Sequence, residues 1–196
     1  MNFREYVENA IRTESKFNVM TAGTVSPFLN DRLLHAAIWM QTEIWEIFEA
    51  LFIKWKNWNV DLVNVREELW DVLWYFAILC DNLNYFDFEF GNEIIIKLEN
   101  VNDYIFEIND LTINILDSVK KSLFYKKELN IELLKERLSK LFNLTESVIT
   151  FLWGNIEKTA ITNIEKLRAR YPEKFSTEKA VNRDLETERN ILETDK

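Results

Sequence analysis

Glu43-Ile-Trp-Glu46 and, 21 residues later, Glu68-Leu-Trp-Asp71 decide how this chain is read. The two acids of each quartet stand three apart, and residues three apart share one face of a helix. Each arm therefore offers two carboxylates side by side. Their surroundings are apolar: Leu33 to Ile53 is hydrophobic almost all round, and Val72 to Cys80 carries no charge. A helix apolar on every side is a buried one, and a buried carboxylate is costly unless it is paired or binds a metal.

No Lys or Arg lies three or four residues from Glu43, Glu46, Glu68 or Asp71, and Glu67 stands four before Asp71. Like charges at that spacing destabilise a helix. Four oxygen ligands on two facing helices suit a hard divalent cation, Mg²⁺ or Mn²⁺. The spacing is equally that of a solvated acidic stripe, or of acids paired with Arg or Lys from distant parts of the chain.

Working outward, 196 residues suffice for a sizeable core, and a single domain over 1–196 is expected. Three Gly and two Pro leave little punctuation for a β-rich fold, so the expected class is all-α, a helical bundle around a hairpin bearing the acids. With 24 Lys and Arg against 33 Asp and Glu, the net charge is −9. That argues against broad nucleic-acid or anionic-membrane binding, though not against a phosphorylated small molecule delivered with its metal. Cys80 is the one cysteine, which removes disulfides and Cys-based zinc sites and fits a reducing compartment. No apolar run approaches the ~18 residues of a membrane span and Met1 to Met20 has no signal-peptide core. A soluble, cytoplasmic protein is expected.

Phe3 to Phe17 has weak helical periodicity, and 21–28 reads as a loop from its Gly and Pro. Asn30 or Asp31 can cap a helix from near Arg32 to about Lys56; Asp61 or Asn64 can cap the next, to about Leu83. The chain loosens over 86–91. One or two helices over 92–123 and another over 131–153 follow, and the span 88–155 reads as a helical insertion or a degenerate second hairpin without the acids. A helix is ended by Pro172, and the densest basic stretch, Lys166, Arg168, Arg170 and Lys174, spans that end within a tail motif over 156–185. Such a stretch is also what a solvated helix face looks like. Thr177 to Lys196 is highly charged and expected to be exposed, and partly mobile over 186–196.

His35-Ala-Ala-Ile-Trp-Met-Gln-Thr-Glu43-Ile-Trp-Glu46 followed by Asp61-Leu-Val-Asn-Val-Arg-Glu-Glu-Leu-Trp-Asp71-Val-Leu-Trp-Tyr75 resembles the MazG-like all-α NTP pyrophosphohydrolases, in particular the short phage and bacterial members. Asn163-Ile-Glu-Lys-Leu-Arg-Ala-Arg-Tyr171-Pro, with Phe175 and Asn182-Arg-Asp184 after it, resembles the tail of that branch. The resemblance covers about half of the chain and leaves 88–155 unexplained. It implies hydrolysis of a nucleoside triphosphate to monophosphate and pyrophosphate. Glu43, Glu46, Glu68 and Asp71 are then the Mg²⁺ ligands, which neutralises the triphosphate and lowers the pKa of an attacking water. Lys166, Arg170 and Tyr171 match the tail motif and suit triphosphate binding by type, with Lys54 a further phosphate candidate. His35 matches a position near the nucleotide, although a lone His there is equally a core residue. Tyr75 lines the base or sugar pocket, and Trp55 and Trp58 can stack on a base or serve packing. A homodimer is implied, unless the insertion replaces the partner subunit.

The chain departs from that pattern at Trp39, Trp45 and Trp70, where glycine is usual. Trp45 and Trp70 occupy the slot two after the first acid of each pair, ~200° round the helix from it. A ring there cannot keep a glycine's close helix contact. The back of the hairpin is therefore expected to pack differently, against the inserted helices.

Overall fold

The computed structural model describes residues 1–14, 30–53, 60–91 and 101–193, apart from the side chains of Ile53 and Trp153. The loop expected over 21–28 and the candidate positions Lys54, Trp55 and Trp58 lie outside the described residues. Eight α-helices and no strand occur among them: α1 Phe3–Ile11, α2 Asp31–Phe48, α3 Leu62–Leu83, α4 Val101–Tyr125, α5 Ile131–Trp153, α6 Ile156–Arg170, α7 Thr177–Val181 and α8 Leu185–Glu193. The all-α expectation holds. None of these helices is long and apolar enough to cross a membrane.

Local chemistry sets the helix starts. The Asn30 side chain accepts from Leu33 N at the head of α2, and Asp61 accepts from Val63 N and Asn64 N at the head of α3. Asn130 and Asn155 do the same for α5 and α6. Each supplies an acceptor for amides that have no partner in the first turn. At the other end, α3 finishes on Asn84 in the left-handed region, and α6 stops at Arg170 before Pro172, as the proline requires. α2 runs into a π-helical turn, Glu49–Ile53.

α2 and α3 form an antiparallel pair at the centre. Arg32 meets Asp81 at 2.7 Å near one end, the rings of His35 and Tyr75 stand 5.6 Å apart midway, and Glu43 meets Glu68 towards the other end. α4 and α5 form a second antiparallel pair within the span read as an insertion, Arg137 of α5 donating to Asn114 O at 3.0 Å. α4 lies on α2, where Gln41 donates to Asn109 at 2.9 Å and Phe48 meets Phe106 at 5.2 Å. α5 lies on α3, with Phe142 stacked on Phe76 at 5.6 Å. The segment 85–91 lays Phe88 and Phe90 over Phe3 and Phe142, and ends where Gly91 N donates to the buried Glu146 at 2.6 Å. Gly91 has φ +84°, a conformation that favours glycine.

α1 and α6 close the remaining flank, running parallel. Tyr6 donates to Asn163 at 3.3 Å, Arg168 to Asn9 at 2.7 Å, and Arg12 to the carbonyls of Tyr171 and Glu173 at 2.9 and 2.8 Å. Most of the described tail is exposed, as expected. Residues 185–193 nonetheless form α8 against α6 and α3 with Glu188 and Leu192 buried, Glu188 being held by arginines.

The tryptophans also depart from expectation. Trp70 is buried, with Tyr6 of α1 at 5.8 Å. Trp45 is 60% exposed. α4 covers α2 through Gln41 and Phe48, so the covering does not depend on the Trp45 ring.

Candidate functional site

The acids come together on the facing sides of α2 and α3. Glu43, Glu68 and Asp71 each bring one carboxylate oxygen within 4.8 Å of the others. Glu43 sits one helical face from the apolar Ile44 and Ile47, and Glu68 and Asp71 sit a turn apart beside the buried Leu69 and Val72. Glu46 stands at the exposed rim and is not part of that trio, although its charge is felt by both Glu43 and Glu68.

Crowding shows in the acidities. Burial, then the charges of Asp71 and Glu46, push the Glu43 carboxyl well above the usual range, against the pull of a hydrogen bond with Glu68 and of Lys166. Glu68 is pushed up likewise, first by burial and then by Asp71, Glu46, Glu43 and Glu67. Charges this close in a poorly solvated place cannot all ionise together, so the metal-free site favours protonation of Glu43 and Glu68. An all-oxygen set that repels itself in this way fits a hard divalent cation such as Mg²⁺ or Mn²⁺.

Asp71 is handled differently. Lys166 of α6, fully buried, places Nζ 2.9 Å from Asp71 Oδ1 and 3.3 Å from Glu67 Oε1. Burial alone would lower the ammonium's pKa, but Asp71 and Glu67 outweigh it and hold the charge in place. Glu67 is further bound by Arg183 at 3.0 Å and lies 3.6 Å from Arg170. Burial would raise Glu67, yet Lys166 and Arg183 more than reverse this and lower it. Both arginines also grip the buried Glu188 of α8, Arg170 through Nε at 2.8 Å and Arg183 through Nη2 at 2.7 Å. So Lys166, which the resemblance to the family tail made a candidate for phosphate, stands among the acids, with two of its three N–H donors engaged by these carboxylates. The cation comes from 95 residues away, which is why no neighbour in the helix foretells it.

Asp71 also opens onto a cavity of about 240 Å³. His35, Trp39 and Tyr75 wall one side: the Trp39 ring is 4.6 Å from His35 and edge-on to it, and His35 is 5.6 Å from Tyr75. Trp74 lines it too, its indole N–H donating to Ala10 O at 3.0 Å and Thr13 Oγ1 at 3.1 Å, which ties the wall to α1. Arg170, Tyr171 and Phe175 come from the tail. Burial lowers the His35 pKa against the pull of Glu14, so the imidazole is neutral at pH 7, and burial with the nearby Glu43 and Asp71 raises Tyr75, which stays a phenol.

Five of the residues singled out from the sequence thus line one cavity: His35, Asp71, Tyr75, Arg170 and Tyr171. Glu43 and Glu68 adjoin it through Asp71. Glu67, noted in the sequence only for its charge beside Asp71, was not a site candidate, and neither were Glu188 and Trp74. Glu67 had a signal, as one of three acids within five residues, whereas nothing local marks Glu188. Compared with known proteins, the chain matches no family model, no curated protein and no solved structure.

Proposed function

We propose that the chain is a divalent-cation-dependent nucleoside triphosphate pyrophosphohydrolase of the MazG-like kind, converting a ribo- or deoxyribonucleoside triphosphate to the monophosphate and pyrophosphate. One observation carries the reading: a trio of self-repelling carboxylates, Glu43, Glu68 and Asp71, adjoins an aromatic-walled cavity whose polar lining includes Arg170. Those three would hold Mg²⁺, or Mn²⁺ in its place, and the bound ion would supply charge neutralisation for phosphate and an acidified water. Arg170 keeps its charge at any working pH; Glu188 takes its Nε and Nη2 donors, so it would meet the phosphate chain through Nη1. Trp39, with the neutral His35 edge-on to it, would offer the base an aromatic wall, and the Tyr75 phenol could hydrogen-bond a sugar or phosphate oxygen. Glu46 adds negative charge from the rim.

The natural substrate complex carries its own cation, which suits a protein of net charge −9. Nucleic acid and anionic membrane suit it poorly. We place the protein in the cytoplasm as a homodimer, with sedimentation as the check on assembly.

The test is pyrophosphate and monophosphate release from a panel of ribo- and deoxyribonucleoside triphosphates with Mg²⁺. Glu68→Gln and Asp71→Asn are each expected to lower turnover by about 100-fold or more, the scale for losing one preorganised charged group, with helical content kept. Unchanged turnover in both removes the assignment. A second reading, a nucleotide- or metal-binding module without turnover, is favoured by one feature, the ion pair that already occupies Asp71. Nucleotide-induced thermal stabilisation with no product would select it.

A further inference from the structure

Lys166 lies between two acids of α3. Its ammonium is fully buried between Asp71 Oδ1 at 2.9 Å and Glu67 Oε1 at 3.3 Å. Those two acids stand four apart on α3, where like charges repel unless something positive lies between them. Asp71 is at the same time a member of the trio with Glu43 and Glu68. In two-metal centres the ions sit roughly 3.5–4 Å apart, commonly sharing acidic ligands between them. Here one of the two carboxylate oxygens of Asp71 is engaged by an ammonium, which has donors and no acceptor and so cannot itself bind a metal.

We propose that Lys166 acts as the built-in second cation of this acid centre, bridging Asp71 and Glu67 and holding the site to one divalent ion. The proposal rests on the divalent-cation reading of Glu43, Glu68 and Asp71. It makes Lys166 a positioning residue rather than a phosphate ligand. Three features of its setting agree. The side chain is fully enclosed rather than exposed in the cavity, since it is not among the residues that line it. Both of its carboxylate partners come from one helix, so the bridge is rigid. Glu67 is further surrounded by Arg183 and Arg170, so the side of the cluster beyond Lys166 is already cationic and repels a second metal ion.

The count of bound Mn²⁺ decides the matter, read on the full chain by equilibrium titration and by electron paramagnetic resonance, neither of which needs turnover. The wild type is expected to bind one Mn²⁺ per chain, with the spectrum of an isolated ion. Lys166→Met and Lys166→Gln are expected to bind two, with a spin-coupled signal, while Lys166→Arg stays at one. Two ions in the wild type, or one in a folded Lys166→Met or Lys166→Gln, overturns the proposal and leaves the metal reading standing. No ion in the wild type overturns both. Should neither neutral variant fold, the wild-type count alone decides, one ion supporting the proposal and two overturning it. A neutral variant that keeps a single ion but loses binding of inorganic triphosphate would make Lys166 a phosphate ligand after all.

Discussion

Glu43 and Glu68 keep protons that an unfolded chain would release, and stability must therefore depend on pH. Their carboxyls rise from an ordinary 4.5 to about 8 and about 9. Between those limits the folded state binds more protons than the unfolded one, so stability falls as pH rises. The melting temperature of the metal-free protein is expected to drop from pH 5 to pH 9, and Mg²⁺ should flatten that drop by replacing the protons. A melting temperature that rises over this range would contradict the assignment. Glu68→Gln should raise metal-free stability at pH 8, because it removes a group that resists ionisation, while reducing the response to Mg²⁺. Glu67 and Glu188 work with the opposite sign. Arginine and lysine partners lower them, so their contribution is present above about pH 4.5 and is lost as pH falls through their folded values. Acid melting should therefore begin in the tail contacts and leave the trio untouched.

At the scale of single helices, Trp70 fixes α3 against α1. The side chain is 1% exposed and lies on Tyr6, so Trp70→Ala should cost about 3–5 kcal/mol, the range for emptying a buried indole site. Chemical denaturation measures it. Asp61 has two duties, capping α3 and pairing with Arg189 of α8 at 2.6 Å. Asp61→Ala should cost about 1 kcal/mol for the lost cap, with little more from the exposed ion pair. Helix starts such as these were legible in the sequence because a cap is local chemistry: Asn30 and Asp61 announce α2 and α3, and Pro172 announces the end of α6. The acid pairs were legible for the same reason, since a spacing of three fixes a common face. The partner of Asp71 was not, because Lys166 is brought to it only by the packing of α6 on α3. Nor was the retreat of Glu46 to the rim, which depends on how α2 is rotated against its neighbour. The π-helical turn over Glu49–Ile53 likewise has no sequence signature.

Across the whole molecule, the contacts around the acids come from chain segments far apart. Arg170 and Arg183 share Glu188, and Arg189 reaches back to Asp61. Ending the chain after Asn182 would remove Arg183, Glu188 and Arg189 together. That truncation is expected to lower the melting temperature by several degrees, and to leave Arg170 with Glu67 alone. An unchanged melting temperature would mean that α8 is a passive cover. The core formed by α1 to α5 should survive, so far-ultraviolet circular dichroism should fall only by the missing helix.

The ion pairs from Lys166 and Arg183 to α3 span 95 and 116 positions, and this has a consequence for biosynthesis. A ribosome delivers the acid-bearing helices before their counter-charges, which follow only after both α4 and α5 have emerged. During that interval the nascent chain carries Asp71 and Glu67 without their lysine, so closure of this centre waits for α6 and contributes slow, high-contact-order folding.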